Sequence, residues 1–103
     1  MRKIMLSSLL FLLFSTSAHS NELDFGTMPC GEYIYLIERL TNSNNMKTAS
    51  GILMWLYGYG SSQSNVTVFT NEKFRKFANT LGTQCSTNKT EKLLVMVKKI
   101  GVN

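Results

Sequence analysis

Few side chains in this chain could do chemistry: the thiols of Cys30 and Cys85, six carboxylates, one imidazole at His19, and scattered hydroxyls. Each type needs a particular arrangement. A nucleophilic Ser or Cys needs a nearby base to take its proton, and an imidazole is the usual one. A zinc site needs three or four converging Cys, His or carboxylate ligands. The carboxylates are Glu22, Asp24, Glu32, Glu38, Glu72 and Glu91, and no two are spaced as a glycosidase pair or a calcium loop would require. Gly58-Tyr59-Gly60-Ser61 is rich in glycine but has neither the flanking pattern nor the lysine of a phosphate-binding loop. Asn65-Val66-Thr67 and Asn88-Lys89-Thr90 fit the three-residue glycosylation sequon, a match short enough to arise by chance.

The first twenty residues narrow the chemistry further. Arg2 and Lys3 precede an uncharged apolar run from Ile4 to Ser17, and Ala18-His19-Ser20 follows with small residues at its first and third positions. This is the layout of a secretory signal peptide. The run is shorter than the roughly twenty apolar residues a membrane span needs. Cleavage is expected after Ser20, which leaves a single domain over residues 21–103. His19 then departs with the signal, so the exported chain has no imidazole for a metal, a base or a pH switch. No catalytic residue, metal or cofactor is expected, and the chain reads as a non-enzyme.

Export places Cys30 and Cys85 in an oxidising compartment, where an even pair reads as one disulfide. An intermolecular bridge or two free thiols are the alternatives. Closing a loop of 55 residues would stabilise the fold by roughly 4 kcal/mol in the chain-entropy model. A domain this small gains much from such a staple. Nine Lys and Arg then face six carboxylates, a net charge of +3, which is a mildly basic surface and no footprint for nucleic acid. Lys73, Arg75 and Lys76, and likewise Lys98 and Lys99, are expected on solvated helix faces.

Four helices would position these residues, in an all-α four-helix bundle closed by the disulfide. The first spans about Met28 to Leu40, with Thr27 as cap, Pro29 in the first turn, and Cys30, Tyr33, Ile34, Ile37 and Leu40 at helical spacing. The second spans about Lys47 to Tyr59, where Ala49, Ile52, Leu53, Leu56 and Tyr59 form the inner stripe and Gly58, Gly60, Ser61 and Ser62 end the helix. Val66 to Phe69 is expected as an extended linker that lays Phe69 on the core. The third helix spans about Asn71 to Cys85, capped by Thr70 or Asn71, with Phe74, Phe77, Ala78, Leu81 and Cys85 inward. The fourth spans about Lys89 to Ile100, opened by an Asn88-x-x-Glu91 capping box and stopped by Gly101. Glu22 and Asp24 fall in an N-terminal arm expected to be loosely held.

The second helix carries more apolar surface than one core needs. No charged residue lies between Lys47 and Glu72, and Trp55 falls off the inner stripe, with Met54 and Tyr57 widening the apolar face. Packing within the bundle is one reading. An interaction face formed by Met54, Trp55, Tyr57 and Tyr59 is the other, since aromatic and Met side chains dominate interfaces and adaptable surfaces.

Cys30-Gly31-Glu32-Tyr33 opening the first helix, then Trp55-Leu56-Tyr57-Gly58-Tyr59-Gly60-Ser61, then Cys85-Ser86-Thr87-Asn88 before a last amphipathic helix, resemble the HdeA/HdeB-like family of bacterial periplasmic proteins. The resemblance covers nearly all of the exported chain. It implies a small helical bundle with Cys30 and Cys85 bridged and an apolar face lined by Trp55, Tyr57 and Tyr59. It also implies an acid-stress chaperone that holds unfolded client proteins on apolar surface, with self-association into a homodimer at neutral pH. Without histidine, acid would act through the carboxylates, which protonate near pH 4 when unperturbed. Neutralising all six takes the side-chain charge from +3 to +9, and that self-repulsion favours expansion. The alternative function is a periplasmic immunity protein that blocks a delivered toxin. The Tai/Rap type is similar in size, signal peptide and a Gly-Tyr element, but tends to carry further cysteines that this chain lacks. Either way the partner is protein, with neither nucleic acid nor, after signal cleavage, a membrane.

Overall fold

The computed structural model describes residues 22–103. The expected export segment, its cleavage point and His19 lie outside the described residues. The described residues form four helices: α1 (Cys30–Asn42), α2 (Met46–Ser64), α3 (Asn71–Thr87) and α4 (Leu93–Ile100). No strand occurs among the described residues; there is one isolated antiparallel bridge, Pro29 to Lys92. The all-α bundle is therefore as the apolar periodicity requires.

Each helix turns an apolar stripe inward. Tyr33 and Leu36 of α1, Ile52 and Leu56 of α2, Phe77 and Leu81 of α3, and Leu93 and Val97 of α4 meet in one core. The core holds no buried charged side chain among the described residues. Cys30 and Cys85 are fully buried and bonded to each other, joining the start of α1 to the last turns of α3.

Two helix boundaries differ from the sequence expectation. α2 does not stop at its glycines but continues to Ser64. Gly60 is buried, and a Cβ there would lie 3.1 Å from Val97 and 3.2 Å from Val102. Its bare backbone lets α4 and the tail close on α2, and this packing outweighs the helix cost of glycine, about 1 kcal/mol. The helix ends instead on Asn65, which takes a left-handed conformation (φ 58°), with the Val66 N–H donating to the Ser61 carbonyl at 2.9 Å. Asn44 (φ 60°) ends α1 in the same way, with the Asn45 N–H donating to the Leu40 carbonyl at 2.8 Å. Both are Schellman closures with asparagine where glycine is commoner.

The start of α4 also moves, from Lys89 to Leu93. The capping box at Asn88 and Glu91 does not form. Residues 89–92 instead form a turn and a one-residue bridge against the start of α1 and supply its cap. The Cys30 N–H donates to the Glu91 carbonyl at 2.7 Å and the Gly31 N–H to the Lys89 carbonyl at 2.9 Å. In return the Leu93 N–H donates to the Met28 carbonyl at 2.9 Å. Two orphan donors of a helix N-terminus are thereby satisfied by backbone, and Thr27 is not the cap. Gly31 is needed for this approach, since a Cβ would sit 3.2 Å from the Lys89 Cβ. The freed Asn88 side chain donates to the Gln84 carbonyl at 2.8 Å, and Glu91 pairs with Lys99 at 2.7 Å.

The other end signals act as expected. The Thr70 hydroxyl accepts from the Lys73 N–H at 3.1 Å, and Gly101 (φ 66°) stops α4. Beyond it Val102 is buried, and its N–H donates to the Ser64 hydroxyl at 3.1 Å. Residues 66–70 are a linker without helix or strand, and Phe69 leans on the core edge through Tyr57 and Phe74 while staying half exposed.

Candidate functional site

The outward side of α2 is the most unusual surface of the fold. Its exposed positions Gly51, Met54, Trp55, Gly58 and Ser62 recur at helical spacing, opposite the buried Ile52, Leu56 and Gly60. None carries charge. Nothing lies within 4 Å of where a Cβ at Gly51 or Gly58 would sit. The Trp55 side chain therefore stands between stretches of bare helix, 51% exposed, with Met54 beside it at 47%.

Trp55 belongs to a row of three rings. Its indole stacks on Tyr59, one turn on, with centroids 6.1 Å apart and planes 10° from parallel. On its other side Phe25 meets it at 4.9 Å, tilted by 54°. Phe25 was no candidate on sequence grounds, because the arm before α1 was expected to be loosely held. The arm is in fact folded. The Asp24 carboxylate accepts from the Gly26 N–H at 2.9 Å, and the Asp24 carbonyl accepts from the Thr27 N–H at 3.4 Å. That turn sets Phe25 against the indole, and Asp24-Phe25-Gly26 is the sequence signal that could have located it.

Of the four residues expected to form the interaction face, the structure brings three to the surface. Met54, Trp55 and the half-buried Tyr59 lie there, whereas Tyr57 points the other way and is only 5% exposed. Its ring is met edge-on by Phe69, Phe74 and Phe77 at 5.5 to 5.6 Å. Its hydroxyl is buried without a hydrogen-bond partner, as is that of Ser61 one turn later. Tyr57 is therefore a core residue. A further open groove of about 500 Å³ runs between α1 and α3, floored by Ile34, Ile37, Leu53 and Ala78 and edged by Glu38.

No group of three metal-ligating side chains exists among the described residues. No helix among them is long and apolar enough to cross a membrane. The charges are unevenly divided: residues 22–69 carry four carboxylates and two cations, and residues 70–103 carry seven cations and two carboxylates.

The chain is thus a small all-α protein, a bundle of four described helices closed by one disulfide, with an uncharged aromatic face on α2. The family model for the HdeA/HdeB family matches residues 3–95, so the chain belongs to that family. A search of the curated proteins finds no match, and neither does a search of the solved structures.

Proposed function

We propose that this protein, exported to the periplasm by residues 1–20, is a non-enzymatic acid-stress chaperone that holds unfolded clients on the apolar side of α2. The observation that carries this reading is the half-exposed row Phe25–Trp55–Tyr59 beside Met54, on a helix face without charge. Aromatic and Met side chains give a client-tolerant surface, because they bury much area without demanding one sequence of hydrogen bonds. Family membership supports the same role.

The charge distribution suggests how acid would act. Protonating the carboxylates leaves nine cations unopposed, seven of them between Lys73 and Lys99. Their repulsion falls on α3 and α4 and loosens the packing that hides the rest of the core. The Cys30–Cys85 bond limits how far the chain opens.

Light scattering of several unrelated client proteins at pH 2–4 tests the proposal. Wild-type protein is expected to suppress aggregation of all of them, with bis-ANS reporting newly exposed apolar surface. Trp55→Ala should weaken suppression about tenfold or more in effective concentration, as loss of a central aromatic anchor does. Failure with every client at every acid pH would end this reading.

A further inference from the structure

Lys73 and Lys76, one turn apart, border a cavity of about 150 Å³ between α3 and the tail after α4. Its apolar lining is Phe77, Ile100 and Val102, and Thr80 also lines it. The walls are fixed. Phe77 and Val102 are buried, and the tail is held by the Gly101 turn and by the Val102 N–H donating to Ser64. A shallower recess continues outward past the same two lysines to Thr70, Glu72 and Asn103.

We propose that this cleft binds an oxyanion, a carboxylate or phosphate carried on a compact group. Three observations point to it. No carboxylate side chain lines the inner cavity, and Glu72 reaches only the outer recess. Neither lysine has an ion-pair partner among the described residues, where the sole pair is Glu91 with Lys99. The surrounding half of the chain, residues 70–103, carries a net side-chain charge of +5, which outweighs Glu72 in the outer recess and favours an entering anion; Asn103 lines both cavity and recess. Two lysines and a threonine around an apolar floor suit a small anion with a short apolar body.

Titration of the isotope-labelled, disulfide-intact protein, followed by amide NMR at pH 7 and low ionic strength, tests this. Inorganic phosphate and succinate are the two probes, with sodium chloride at matched ionic strength as control. Saturable shifts at Thr80, Gly101 and Val102 are expected with at least one probe. Saturation by one alone identifies the headgroup as phosphate or carboxylate. Lys73→Gln and Lys76→Gln should each weaken binding about tenfold, the usual worth of one charge-assisted hydrogen bond. Lys76→Arg should retain binding, and Lys92→Gln, away from the cleft, should leave it unchanged. Shifts that never saturate, that sodium chloride reproduces, or that survive the Lys73→Gln, Lys76→Gln double variant would overturn the assignment. The readout is independent of chaperone activity, so either proposal can fail without the other.

Discussion

Tyr33 and Tyr57 place two phenols deep in the bundle. Tyr33 is 3% exposed, and desolvation pushes its pKa up to about 12 from an ordinary 10. The unfolded chain gives up this proton near pH 10, whereas the folded protein holds it until about pH 12. Its contribution to stability is therefore whole below pH 10 and is lost as pH rises to 12. That share is at most about 2–3 kcal/mol. Urea titrations at pH 9 and pH 11.5 should show a smaller alkaline loss for Tyr33→Phe than for the parent. Equal losses would show that the phenol reaches water. Tyr57 was harder to place from sequence. A stripe through Ile52, Leu56 and Tyr59 reads well, yet the buried face runs through Tyr57 and Gly60. The missing side chain at Gly60 draws in Val97, Val102 and Phe77, and that approach turns Tyr57 into the aromatic cluster. Apolar spacing registers side chains and is blind to the space a glycine leaves.

Among the elements, helix existence followed from periodicity, while two boundaries were set by partners distant in sequence. The start of α4 is the plainer case. Asn88 and Glu91 have the right types for a local capping box, but the donors of α1 claim the backbone of residues 89–92 instead. A cap supplied from sixty residues away leaves no local signal. The end of α2 was legible in principle, since asparagine is the residue after glycine that best tolerates the left-handed region. At Asn65 this requirement makes a sharp prediction. Asn65→Gly should hold or raise stability by up to about 1 kcal/mol, and Asn65→Val should lower it by about 1–2 kcal/mol. Chemical denaturation decides it; a tolerated valine would mean that the α2 terminus can close in another conformation.

For the whole molecule, the pairing of Cys30 with Cys85 was the most readable long-range feature, because both thiols fall on inward stripes and the chain offers one internal pairing. The aromatic face was half readable. Trp55 declared itself by lying off the core stripe, but its neighbour Phe25 arrives through a turn in the arm. The lysine-bordered cleft was not readable, since its far wall is the tail folding back beyond Gly101. Reduction of the disulfide, or Cys30→Ser, should destabilise the fold by roughly 4 kcal/mol for a closed loop with a separation of 55 residues. Melting curves with and without reductant read this directly, and coincident curves would deny the bond its structural role.

The same bond divides the chain topologically. Sulfur closes a ring that contains α1, α2 and nearly all of α3, while α4 hangs outside it, fastened by the backbone stitches of residues 89–93 to α1. Under tension applied at the two ends, the ring withholds roughly 190 Å of contour length, and only the outer segments can pay out. Among the described helices, α4 is thus the one that can peel away and re-dock while the other three stay tethered as a loop.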